Sequence, residues 1–127
     1  MEPFSLQRRM RSLGDAWRGV VLVVRGQHNA WIHIGATAIV IAAGAAFGIS
    51  RLEWALLTLA TAAVWSAEAM NTAVEALGDS VSPERSESVG LAKDVAAGAV
   101  LLSAAGAVGI GVLVFGPRLV RLLTPAP

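Results

Sequence analysis

Long stretches without a charged side chain are the feature that most constrains how this chain can fold. No Asp, Glu, Lys or Arg occurs in the 25 residues of segment 26–50, or in the 23 residues of segment 95–117. Each segment exceeds the ~20 apolar residues that a helix needs to cross a bilayer. A third uncharged stretch, the 14 residues of segment 54–67, reaches that length only by continuing through Glu68.

Composition also points to a membrane protein. Of the 127 residues, 55% are hydrophobic and 15% are charged, whereas about 25% are charged in an average soluble domain. A soluble chain of this length could not bury so much apolar surface, and intrinsic disorder is excluded by the same figures. The chain has no Cys, which excludes disulfides and thiolate metal sites. The net charge of +1 gives no sign of a nucleic-acid partner, and we expect none.

The segment at about 5–26 has a different pattern, in which apolar residues recur at three- and four-residue steps with arginines between them. This spacing predicts an amphipathic helix that lies in the membrane surface. We therefore predict an all-α integral membrane protein with an N-terminal amphipathic surface helix and three transmembrane helices, at about 30–49, 53–76 and 95–116. The whole chain, 1–127, is expected to form a single domain.

The connections and the charges predict a topology. Segment 77–92 contains Pro83 and four serines and is predicted to be a polar loop, while Pro117 is expected to end the third span. With a cytoplasmic N-terminus, three spans leave seven Lys and Arg residues inside and three outside. The positive-inside rule favours that orientation. It places the N-terminus and the polar loop in the cytoplasm.

Polar residues within and just beyond the second span form a stripe, which we call the acidic stripe. Its members are Glu68, Asn71, Thr72, Glu75 and Asp79. Offsets of 0, 3, 4, 7 and 11 residues fall on one helix face and extend over ~16 Å. Carboxylates inside a membrane span mark either a functional site or a buried polar patch that holds an oligomer together. With Lys93 and Asp94 beyond the loop, the stripe suits a divalent cation and a phosphate chain.

Two motifs in this region resemble the signature of the prokaryotic diacylglycerol kinase family, which includes the undecaprenol kinases. The first is EAMNTAVEALGD at 68–79, and the second is AKDVAAGAVL at 92–101. The resemblance also covers AWRG at 16–19 and NAWIH at 29–33. It extends from about Arg8 to the end of the third span.

The resemblance implies a small lipid kinase of the bacterial inner membrane, a homotrimer that uses ATP as co-substrate and Mg²⁺ as cofactor. It implies that Glu68 takes the proton of the lipid hydroxyl, and that Asn71 orients this base and the substrate. Glu75 corresponds to a metal-binding carboxylate, and Gln27 stands where a second one is usual. The implied nucleotide-binding residues are Arg8, Glu75, Glu84, Arg85, Ser86, Lys93 and Asp94, and the implied lipid-binding residues are Trp17 and Glu68.

The chain departs from the family pattern at Gln27, where a Glu is usual, and at Ser86, where a His is usual. Arg85 is a candidate for supplying positive charge to the phosphates instead. We prefer an undecaprenol kinase because NAWIH at 29–33 and the apolar run at 96–101 resemble that branch. A diacylglycerol kinase, a non-catalytic family member and an ion or proton pathway lined by the acidic stripe are the alternatives.

The two histidines and Trp65 are interpreted as structural residues. His28 and His33 are expected to be polar residues that cap the first span, since His is a poor Mg²⁺ ligand. Trp65 is expected to pack against neighbouring helices or to lie at the membrane interface.

Overall fold

The computed structural model describes residues 5–26, 28–81 and 86–124. These residues form four helices, with no strand within those ranges: α1 (Leu6–Gly26), α2 (His28–Phe47), α3 (Arg51–Val81) and α4 (Glu87–Leu123). The prediction of an all-helical chain is confirmed. By length and composition, two of these helices could cross a membrane, α2 over Asn29–Phe47 and the whole of α4.

The connection between α3 and α4 is shorter than the sequence predicts. Residues 77–81 and 87–92, predicted as loop, are helical. Ser80 does not interrupt α3, because its Oγ donates to the Ala76 carbonyl of the preceding turn at 2.8 Å. A helix that has already formed extends easily, since each further residue adds one hydrogen bond. The loop prediction was therefore wrong in its length.

Pro117 does not end α4, contrary to the prediction. The helix continues to Leu123, although proline cannot donate a backbone hydrogen bond. The side chain of the next residue bonds to the helix: Arg118 Nη1 donates to the Val114 carbonyl at 2.5 Å. The Arg118 guanidinium also donates to both carboxylate oxygens of Glu53, at 2.8 and 2.9 Å. These bonds attach the turn after the proline to the start of α3.

The turn between α2 and α3 is defined by a glycine and a capping box. Gly48 has a positive φ of 58°, and the amide of Ile49 donates back to the Gly44 carbonyl at 3.2 Å. This is the arrangement of a Schellman motif. Ser50 precedes α3 and forms the capping box: its amide donates to Glu53 Oε2 at 2.8 Å, while the Glu53 amide donates to Ser50 Oγ at 3.3 Å.

α3 lies antiparallel to α2 and α4, and the pair α3 and α4 forms the most extensive helix contact. The hydrophobic core lies near the α2–α3 turn and consists of Ile49, Leu57 and Val114, with Val40, Phe47, Trp54, Ile110 and Phe115 packed against it. Elsewhere, large apolar side chains such as Leu59, Leu101 and Leu113 are about seven- to eight-tenths exposed. The four helices therefore leave broad hydrocarbon surfaces uncovered.

α1 packs against α2 and α3. It begins one residue after the predicted start and ends at the predicted residue. Its charged face carries an ion pair between Asp15 and Arg18. Its apolar residues Met10, Leu13 and Trp17 stay exposed.

Candidate active site

Glu68 is the buried charged residue of the part of the chain that the structure describes, with 4% of its surface exposed. It lies on α3, and its Oε1 is 2.8 Å from Nε2 of His33 on α2. Its backbone carbonyl accepts a hydrogen bond from Thr72 Oγ1 at 2.9 Å, one turn further along. Buried carboxylates are tolerated when a hydrogen bond satisfies them, and His33 provides it.

The His33 ring is held in place by its neighbours. Thr37 Oγ1 donates to the His33 carbonyl at 2.7 Å, and Trp65 Nε1 donates to Thr37 Oγ1 at 3.5 Å. The ring of Trp65 meets the His33 imidazole edge-on, with centroids 6.0 Å apart. Sequence reasoning interpreted both residues as structural. The sequence signal that could have identified His33 as a functional residue was its place in the NAWIH motif at 29–33.

Asn71 and Glu75, which follow Glu68 in the acidic stripe, bond to each other. Asn71 Nδ2 donates to Glu75 Oε1 at 3.1 Å, whereas Asn71 Oδ1 is buried without a hydrogen-bond partner. An unsatisfied buried acceptor beside a carboxylate is suited to a cation that prefers oxygen ligands, such as Mg²⁺.

The described residues contain no group of three or more His, Cys, Asp or Glu side chains placed to hold a metal. Any Mg²⁺ at this pair would thus depend on water and phosphate oxygens for most of its ligands, as Mg²⁺ commonly does. Gln27, the other predicted metal residue, lies outside the described residues.

The end of the acidic stripe at Asp79 meets α4. Lys93 Nζ donates to Asp79 Oδ1 at 2.5 Å. Gly78 permits this approach, because a Cβ atom there would lie 2.9 Å from both Lys93 Cε and Val89 Cγ1. Asp94 follows on α4 with an exposed side chain. The sequence predicted Lys93 but gave no indication that Gly78 was needed.

The remaining predicted residues lie at the edges of this region. Ser86 precedes α4 in an extended conformation, and its Oγ lies 3.0 Å from Ser88 Oγ. Arg8 belongs to the first turns of α1, and Trp17 on the same helix is 68% exposed. The predicted nucleotide-binding residues Glu84 and Arg85 lie outside the described residues.

An apolar groove of about 780 Å³ lies between α1, α2 and α3. It is lined by Ala16, Gly19, Val20, Leu22, Val23, Val24, Ile34, Trp65, Ser66, Ala69, Thr72, Ala73 and Ala76. Trp65 and Thr72 stand on the two sides of Glu68 along α3, so the groove passes beside the turn that carries the carboxylate. Its polar side chains are few, and the Thr72 hydroxyl is already bonded to the Glu68 carbonyl.

Comparison with known proteins agrees with this geometry. The family described as prokaryotic diacylglycerol kinase matches residues 14–115. An undecaprenol kinase of Bacillus subtilis is 33% identical over 114 residues, which cover 90% of this chain and 93% of that protein. A diacylglycerol kinase of a Synechocystis species is 37% identical over 109 residues, which cover 85% of this chain and 62% of that protein. The chain therefore belongs to the prokaryotic diacylglycerol kinase family of lipid kinases.

Proposed function

We propose that this protein transfers the terminal phosphoryl group of MgATP to the hydroxyl of undecaprenol. The observation that carries the proposal is the buried carboxylate of Glu68, whose neighbour Ala69 lines an apolar groove although Glu68 itself does not. The carboxylate accepts the hydroxyl proton while the lipid oxygen bonds to the terminal phosphorus and the bond from that phosphorus to the ADP oxygen breaks. The products are a lipid phosphate, ADP and a protonated Glu68. A positioned base of this kind typically contributes 10²–10⁴-fold to a rate.

The nucleotide lies at the other end of the acidic stripe. Glu75 and the unpartnered Oδ1 of Asn71 would hold Mg²⁺, which neutralises phosphate charge when bound. Lys93 would exchange its bond to Asp79 for a phosphate oxygen. The proposed nucleotide contacts also include Arg8, Glu84, Arg85, Ser86 and Asp94. Phosphoryl transfer depends mainly on positioning and charge neutralisation, which these groups supply.

The chemistry of the groove favours a polyprenol over a diacylglycerol. A diacylglycerol carries two ester groups, whose carbonyl oxygens need hydrogen-bond donors when they leave water. The groove is lined almost entirely by hydrocarbon, and Ser66 is its remaining side-chain donor, because the Thr72 hydroxyl and the Trp65 N–H already donate to Glu68 and Thr37. A polyprenol has no polar group except its terminal hydroxyl. Trp17, exposed on α1, would contact the lipid near the membrane surface.

We propose that α3 crosses the membrane together with α2 and α4. A hydrocarbon layer of ~30 Å corresponds to about 20 helical residues. Counted from Glu53, it ends near residue 73. Glu68 then lies within the layer, and Glu75 and Asp79 lie at its cytoplasmic edge. α1 would lie on that same surface of the bacterial inner membrane, and the exposed apolar faces would be covered by lipid and by two further copies in a homotrimer.

The experiment that tests this function is phosphate transfer from labelled ATP to undecaprenol in mixed micelles. Wild-type protein is expected to label the lipid, and Glu68→Gln to lose at least ~10²-fold in kcat. Ala73→Leu, which narrows the groove, should raise the KM for undecaprenol and leave the KM for ATP unchanged. Transfer that persists undiminished in Glu68→Gln would refute the role of this base, and a folded wild type that labels no lipid alcohol would favour a non-catalytic protein.

A further inference from the structure

We propose that His33 is a positioning residue for the proton acceptor: its Nε2–H donates to Oε1 of Glu68 and leaves Oε2 facing the lipid hydroxyl. The inference rests on the proposed function of Glu68. His33 does not itself meet the substrate in this arrangement. It acts by fixing which carboxylate oxygen is available.

The first support is the geometry of the pair. The distance of 2.8 Å from Nε2 to Oε1 is normal for a hydrogen bond. Both side chains are largely removed from solvent, with 18% of the His33 side chain and 5% of the Glu68 side chain exposed. A hydrogen bond in such surroundings is stronger than one in water, and losing it leaves a buried acceptor unsatisfied.

The second support is that neighbouring side chains restrain the orientation of the His33 imidazole ring. The edge contact with Trp65 and the bond to Glu68 restrain the imidazole plane. Trp65 also donates to Thr37. His33 and Thr37 of α2 are thus both in contact with Trp65 of α3. A residue that merely capped the end of α2 would have no need of this support.

The third support is the position of the pair between two cavities. His33 and Trp65 line an interior cavity of about 230 Å³ between α2, α3 and α4. Trp65 also lines the apolar groove, so its indole separates the two spaces. Glu68 lies between Trp65 and Ala69 of the groove wall along α3, although its own side chain is not part of either lining. In the proposal, Oε2 is the carboxylate oxygen left to accept the proton of a hydroxyl that reaches Glu68 from the groove.

Kinetics of three variants test the inference. His33→Leu removes the donor, and we expect kcat to fall at least tenfold while the KM for ATP stays within twofold. His33→Gln keeps an N–H donor and should recover much of the lost kcat. Thr61→Val, which alters the wall of the same interior cavity, should behave as wild type. A His33→Leu enzyme with unchanged kcat, or a His33→Gln enzyme as slow as His33→Leu, would overturn the inference.

A second measurement does not depend on activity. The chain has two histidines, so ¹⁵N-histidine labelling of a His28→Gln protein in micelles reports on His33 alone. We expect a proton on Nε2, and a shift of that signal when Glu68 is replaced by Ala. A proton on Nδ1 with a bare Nε2 would contradict the proposed donor. If wild-type protein shows the expected signals but no lipid kinase activity, the proposed function fails while the pairing of His33 with Glu68 stands.

Discussion

At the scale of single residues, Glu68 shows how a carboxylate can remain buried between helices. An isolated charge in hydrocarbon is costly. Here one oxygen is bonded to His33, and the residue is 4% exposed. Asn71, a further member of the acidic stripe, keeps a buried side-chain oxygen with no hydrogen-bond partner.

Glu75→Gln tests the proposed cation site. The amide keeps an oxygen but loses the negative charge, so Mg²⁺ should bind more weakly. We expect the KM for MgATP to rise about tenfold, with partial recovery at high Mg²⁺ concentration. Glu87→Gln, which changes an exposed carboxylate in the first turn of α4, is the matched control. Equal Mg²⁺ dependence in both variants would argue against Glu75 as a ligand.

Gly78→Ala tests the close approach of α3 and α4. The added methyl would meet Lys93 and Val89 at 2.9 Å, so the lysine must move from its place beside Asp79. We expect ATP binding to weaken several-fold. Gly90→Ala adds the same methyl on α4, where nothing lies within 4 Å, and should bind ATP normally. Isothermal titration with both variants would show whether the contact matters.

At the scale of helices, the sequence predicted what local patterns determine. The lengths of the uncharged stretches and the spacing of the apolar residues predicted all four helices, because these properties depend on each segment alone. The ends of α3 and α4 were predicted less well, since they depend on contacts such as Gly78 with Lys93 and Glu53 with Arg118. The partner of Glu68 could not be read from spacing, because His33 lies 35 residues away and meets it only through the register of α2 on α3.

Gly48→Ala tests the turn that sets this register. A side chain at the positive φ of 58° costs roughly 1 kcal/mol, and the substitution should lower stability by about that amount. Gly48→Asn should cost less, since Asn tolerates the left-handed region. Reversible unfolding in mixed micelles measures the difference. Equal stability of Gly48→Ala and wild type would show that the turn relaxes without cost.

At the scale of the whole molecule, the exposed hydrocarbon and the few buried side chains imply that the surroundings complete the fold. Large apolar residues stay exposed along α3 and α4. The core is confined to the end near the α2–α3 turn. The opposite end holds the acidic stripe and depends on polar contacts between helices. An apolar core at one end and polar contacts at the other suit an enzyme whose site opens at one membrane surface.

Cysteine labelling tests the proposed three spans. The chain has no native Cys, so single cysteines at Ser5, Ser50, Ser88 and Thr124 can be probed with an impermeant thiol reagent on intact and opened cells. We expect Ser5→Cys and Ser88→Cys to react only after the cells are opened. Ser50→Cys and Thr124→Cys should react from outside. If Ser88→Cys reacts like Ser50→Cys, α3 does not cross the membrane.

Competition between two lipid acceptors in one micelle tests both the proposed substrate and the role of Glu68. Undecaprenol and diacylglycerol are supplied at equal mole fraction with labelled ATP and Mg²⁺, and the labelled products are separated. We expect label mainly on undecaprenyl phosphate from wild-type protein and almost none from the Glu68→Gln variant. Label mainly on phosphatidic acid, or equal label from both proteins, would contradict the proposed function.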